Sequence, residues 1–107
     1  MTTPYARATS GQAARGEITK LLLRFGCQSI GFMDDYEDHS LLLAFKHRGR
    51  QVHLRASAKG WAQMYLKENP KRGDQHQREA QAMEQGQIAV NSILRDWVRG
   101  QVTAIET

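Results

Sequence analysis

The segment from Ser40 to Ala56 carries two apolar runs joined by four polar residues. The first is Ser40-Leu41-Leu42-Leu43-Ala44-Phe45-Lys46, and the second is Gln51-Val52-His53-Leu54-Arg55-Ala56. The second alternates strictly, with Val52, Leu54 and Ala56 on one side and Gln51, His53 and Arg55 on the other, which is the period of a strand buried on one face. His47-Arg48-Gly49-Arg50 between them has a glycine able to take positive φ, so the two runs are expected to close as a tight antiparallel hairpin. An isolated hairpin is at best marginally stable in water. The rest of the chain must therefore supply a further strand and a cover for the apolar face.

Both are present. From Gly11 to Phe25 the period is helical: Ala14, Ile18, Leu21, Leu22 and Phe25 fall on one stripe, with Arg15, Lys20 and Arg24 off it. Ser10 is placed to cap this helix, and Gly26 suits its left-handed C-terminal cap. Cys27 to Met33 then reads as the first strand, and Asp34-Asp35-Tyr36-Glu37-Asp38-His39 as a polar loop. Ser57 is placed to cap a short helix over 58–68, which Asn69-Pro70 ends because the residue before proline avoids the helical region. Residues 71–77 read as a charged linker. A last helix is expected over about 78–105.

The fold class that follows is α+β, in the order α-β-β-β-α-α, with a three-stranded antiparallel meander under one packed helix. Residues 1–9 are expected to be a flexible arm and 10–107 a single domain, in keeping with a length of 107 residues. The last helix has an unusually wide apolar stripe. Val90, Leu94, Trp97, Val98, Val102 and Ile105 cover more surface than one small sheet needs, and are expected to seek a further partner, a second copy in a homodimer among them. Gly86 and Gly100 are candidate bends.

No apolar stretch is long enough to cross a membrane, and Met1 to Tyr5 lacks the basic-then-apolar layout of a secretory signal. With one cysteine, Cys27, the chain forms no internal disulfide and no cysteine-rich zinc site.

Charge is where chemistry concentrates. The chain carries 15 basic and 11 acidic residues, a net charge of +4. Between Lys46 and Lys59 there are five cations and no carboxylate: Lys46, Arg48, Arg50, Arg55 and Lys59, with His47 and His53 among them. Lys46, His53 and Arg55 are expected on the side of the hairpin away from the core, with Arg48 and Arg50 at its tip. Such a cluster neutralises phosphates and releases their counterions, and a two-stranded ribbon is of a size to enter a nucleic-acid groove. The same pattern also serves as a solvated face whose charge discourages edge-to-edge pairing.

The other candidates are weaker. Asp34, Asp35, Glu37 and Asp38 are spaced to hold a hard cation, but lack the glycine and distal glutamate of a calcium loop, and also suit a plain polar turn. His39, His47, His53 and His76 have no metal-ligand spacing. Cys27 reads as a small buried apolar group, and Trp61 and Trp97 as core residues on helical stripes. No nucleophile–base pair or phosphate-binding loop is visible, so no enzyme activity, cofactor or metal is expected.

Two resemblances add to this. The order helix, three strands, helix over roughly residues 11–68 resembles the double-stranded-RNA-binding domain. That family carries basic residues at the start of its last helix, where Ser57-Ala58-Lys59-Gly60 offers one lysine. More widely, Tyr5-Ala6-Arg7-Ala8-Thr9-Ser10, Arg24-Phe25-Gly26, the Leu43 to Val52 ribbon and the late helix look like small uncharacterised proteins of bacteriophages and prophages. That resemblance implies a bacterial host cytoplasm and two functional classes. One is a non-enzymatic accessory protein binding nucleic acid, for which the charge pattern, and not the resemblance, offers Lys46, Arg48, Arg50, His53, Arg55 and Lys59. The other is a protein–protein inhibitor of a host nucleic-acid-processing defence complex, of the anti-CRISPR kind.

Overall fold

The structure is a computed structural model and describes residues 3–8, 10–69 and 75–106. The elements are α1 (Gln12–Arg24), β1 (Gln28–Asp35), β2 (Ser40–His47), β3 (Arg50–Ser57), α2 (Ala58–Glu68) and α3 (Gln75–Glu106). The three strands form one antiparallel sheet in the order β1-β2-β3, so the α+β meander is as the alternation requires. No helix among the described residues is long and apolar enough to cross a membrane.

Each boundary has a local cause. Ser10 Oγ accepts from the backbone N–H of Gln12 at 3.1 Å, one position ahead of the formal cap at Gly11. At the other end of α1, Cys27 N–H reaches Leu22 O and Gly26 N–H reaches Leu23 O, the paired bonds of a Schellman stop. Ser57 caps α2 through Lys59 N–H. The β2–β3 turn has Arg48 at φ 52° and Gly49 at φ 81°, the two positive values of a two-residue I′ hairpin turn.

β1 runs two residues further than the alternation indicates. Asp34 pairs with Leu41 and Asp35 with Ser40. Asp34 is tolerated on the covered face because Arg15 Nη2 donates to it at 2.7 Å, while Arg15 Nε donates to the buried Asn91 at 2.6 Å. The strand begins with a register shift between Gln28 and Gly31, where Ser29 has φ 55°. A bulge here blunts an open sheet edge.

One face of the sheet is covered and the other is open. Ile18 and Leu22 of α1, Leu41 and Leu43 of β2, and Val90, Leu94, Val98 and Val102 of α3 form the core. The 32-residue α3 sets the 50 Å long axis of the molecule. Its first half lies against α2 through small residues: Ala82 and Ala89 are buried, and a Cβ on Gly86 would stand 2.9 Å from Ala58 O. Gly86 is thus a close-approach position within a continuous helix.

Two expectations are corrected here. Residues 3–8 are packed and not a free arm: Trp61 Nε1 donates to Pro4 O, Gln85 Nε2 donates to the carbonyls of Tyr5 and Ala8, and Thr3 is buried beside Glu68. Aromatic and amide side chains far along the sequence supply these contacts, so local composition does not reveal them. The wide stripe of α3 is largely used within the chain. Val90, Leu94, Val98 and Val102 are buried under α1 and the sheet, so they are not available for self-association, whereas Trp97 and Ile105 are exposed. α3 also starts at Gln75, three residues before the expected position. The rest of the expected 71–77 linker lies, over 71–74, outside the described residues.

Candidate anion-binding end of the sheet

Pairing fixes which side chains share a side. In β2 and β3, Leu41 and Ala56, Leu43 and Leu54, and Phe45 and Val52 are opposite one another on the covered side. Leu42 and Arg55, Ala44 and His53, and Lys46 and Gln51 are opposite one another on the open side. From β1, Met33 joins the open side next to Leu42 and is 64% exposed.

The six expected basic residues do not form one plane. Lys46 and His53 lie on the open side, Arg48 is in the turn, and Arg50 pairs with His47 on the side of Val52. Lys46, Arg48 and Arg50 gather at the β2–β3 end, and His53 stands mid-strand between them and Arg55, so that Lys46, His53 and Arg55 share the open side as expected. Arg55 lies toward the opposite end of β3, five residues or about 16 Å from Arg50 and two residues or about 7 Å from His53, and Lys59 follows beyond it in α2. There Arg55 Nη1 stands 3.6 Å from Asp38 Oδ2. Lys59 lines a hollow with Glu37, Asp38 and Glu79. Meander topology sends the acidic β1–β2 loop and the basic β2–β3 turn to opposite ends, so a continuous stretch of positive sequence is divided in space.

The remaining charges sharpen this. Arg15 is held by Asp34, Arg95 by Glu17 and Asp96, and Arg99 by Glu17 and Asp96. Lys46, Arg48 and Arg50 are exposed and, among the described residues, have no ion pair. Arg7, Lys20, Lys59 and Lys67 are likewise exposed without an ion pair among the described residues, but only at the β2–β3 turn do three such cations fall within five positions.

The acidic loop is occupied by its own structure. Asp34 serves Arg15, Asp35 Oδ1 accepts from the N–H groups of Glu37 and Asp38, and Asp38 faces Arg55. Among the described residues no three His, Cys, Asp or Glu side chains converge to hold a metal ion. Cys27 is buried, and burial pushes its thiol above the ordinary value of 9.0, away from the thiolate a nucleophile needs.

Sequence periodicity misses one feature of this end. Beside the basic turn, a hollow of about 210 Å³ opens between α3, the hairpin and the end of α1, lined by Phe25, Phe45, His47, Val52, Trp97 and Ile105 among others. Phe25 stacks on His47 at 4.8 Å between centroids. Trp97, expected in the core, is 47% exposed, whereas Trp61 is buried and bonded to Pro4 O. On a helical wheel both tryptophans sit with aliphatic neighbours. Cover separates them: residues 3–8 pack on Trp61, whereas Trp97 lines an open hollow.

No protein-family model, curated protein or solved structure matches this chain.

Proposed function

We propose that this chain is a non-enzymatic nucleic-acid-binding protein that engages phosphates with the β2–β3 end of its sheet, through Lys46, Arg48, Arg50 and His53. The observation carrying this reading is the contrast in neutralisation. Four arginines elsewhere are matched by carboxylates, and the cations of the turn are not. Arg48 adds to it. An I′ turn favours asparagine or glycine at its first central position, and a long cationic side chain there is held at about 1 kcal/mol of backbone strain. Binding of this kind is electrostatic and weakly selective for sequence, since phosphate contacts position a strand without reading bases. The bacteriophage setting implied by the sequence resemblance suits an accessory protein of this type.

The test is a fluorescence-anisotropy titration of labelled DNA over a range of salt. Replacing Lys46, Arg48 and Arg50 by alanine should weaken binding and lower the log–log salt slope by about 2–3, at about 0.7–0.9 for each phosphate no longer neutralised. Replacing Arg55 and Lys59 should leave the slope nearly unchanged. Absence of binding by the wild-type chain, with capture of a host protein, would favour the inhibitor reading instead.

A further inference from the structure

Resting on that reading, we infer that the strand bound at this end is single-stranded and that one of its unstacked bases packs against the exposed indole of Trp97. Three observations converge. Trp97 is nearly half exposed, one turn after the partly exposed Ile93, while Leu94 and Val98 beside it on the helix are buried. Its indole N–H has no partner among the described residues, unlike that of Trp61. Its exposed ring lines the same hollow as His47 and Val52, and strand pairing sets Arg50 opposite His47 on that side. An aromatic platform beside unneutralised cations is the arrangement that takes a base on the ring and its phosphate on the cations.

The dimensions favour one strand over two. A base in a duplex has both faces covered by its neighbours, so only an unstacked base can meet the ring. The hollow of about 210 Å³ has room for one base and not for a paired helix. Charge complementarity selects a polyanion over a second copy of this chain, whose matching end would bring Arg48 and Arg50 against their own equivalents.

The experiment uses a single-stranded oligothymidine of about 12 nucleotides, within the usual range of site sizes, and a duplex of equal length. Tryptophan emission reports on the site directly, because Trp61 is shielded. Expected results are quenching of emission by the single strand and tighter binding of the single strand than of the duplex. Trp97→Leu should lose about ten-fold in affinity with the salt slope unchanged, and Trp97→Phe should retain most of it. Circular dichroism of each variant establishes that it is folded. Unquenched emission, with Trp97→Leu binding as tightly as wild type, would overturn the inference and leave the phosphate reading intact. Failure of the wild-type chain to bind either probe would overturn both. A dimer in sedimentation that shields Trp97 and blocks quenching would overturn the inference and assign the ring to a second copy instead.

Discussion

Arg55 Nη1 lies 3.6 Å from Asp38 Oδ2, with both side chains about 60% exposed. The pair marks the acidic end of a sheet whose other end is positive. It screens a cation that the sequence alone would add to the basic cluster. Exposed pairs of this kind contribute little to stability. Asp38→Asn should therefore shift the denaturant midpoint by the equivalent of less than about 0.5 kcal/mol. It should leave the affinity for DNA nearly unchanged, because Arg55 is remote from the turn. A loss of several-fold in affinity would place the acidic end in the interface.

Arg48 opposes stability and binding to one another. Arg48→Asn relieves a left-handed arginine and should raise unfolding free energy by about 0.5–1 kcal/mol. It should weaken DNA binding in the same preparation. Thermal melts and anisotropy titrations read the two effects, and a variant both less stable and equally tight would contradict the assignment.

Two glycines of α3 should respond in opposite directions. Alanine is the better helix former by about 1 kcal/mol, and at Gly100 nothing lies within 4 Å of the added Cβ, so Gly100→Ala should stabilise. At Gly86 the new atom would meet Ala58 O at 2.9 Å and Ala58 Cβ at 3.0 Å. Gly86→Ala should destabilise by about 1–3 kcal/mol through overpacking. Equal midpoints for the two variants would show that α2 is not packed as described.

Arg15 ties three elements. Its guanidinium donates to Asp34 of β1 and Asn91 of α3, and all three are partly or fully buried. Arg15→Ala strands a carboxylate and a buried amide, and should cost about 2–4 kcal/mol in chemical denaturation. A change below about 0.5 kcal/mol, typical of surface substitutions, would mean the network is not formed.

Cys27 gives a pH dependence with a definite sign. Burial raises its thiol above 9.0 in the folded chain, so the unfolded chain loses this proton first. Stability from the neutral thiol is complete below pH 9.0 and is lost as pH rises through the higher folded value. Cys27→Ala should flatten this alkaline decline in denaturation midpoints measured across that range. An unchanged slope would assign the decline to other groups.

The elements were readable because their periods are clean. The Val52, Leu54 and Ala56 alternation and the Ile18, Leu22 stripe each match one backbone geometry, and Ser57 and Gly26 punctuate them where caps occur. What the pattern could not supply was the third dimension. The extra two residues of β1 depend on Arg15 arriving from α1 to meet Asp34. The order of residues 3–8 depends on Trp61 and Gln85, nearly sixty and eighty positions away. The candidate site was half readable: the cations at the turn are contiguous in sequence, but Arg55 and Lys59 are equally contiguous and lie at the far end. Trp97 was hidden because helical periodicity does not distinguish a stripe covered by α2 from its uncovered continuation.

Amide chemical shifts of the labelled protein, followed during titration with single-stranded DNA, locate the interface without any substitution. The largest changes should fall at Lys46 to His53, with the indole N–H of Trp97 moving alongside them. Changes centred on Asp34 to His39 and on Arg55 to Lys59, with Arg48, Arg50 and Trp97 unmoved, would contradict the assignment of the positive end as the binding surface.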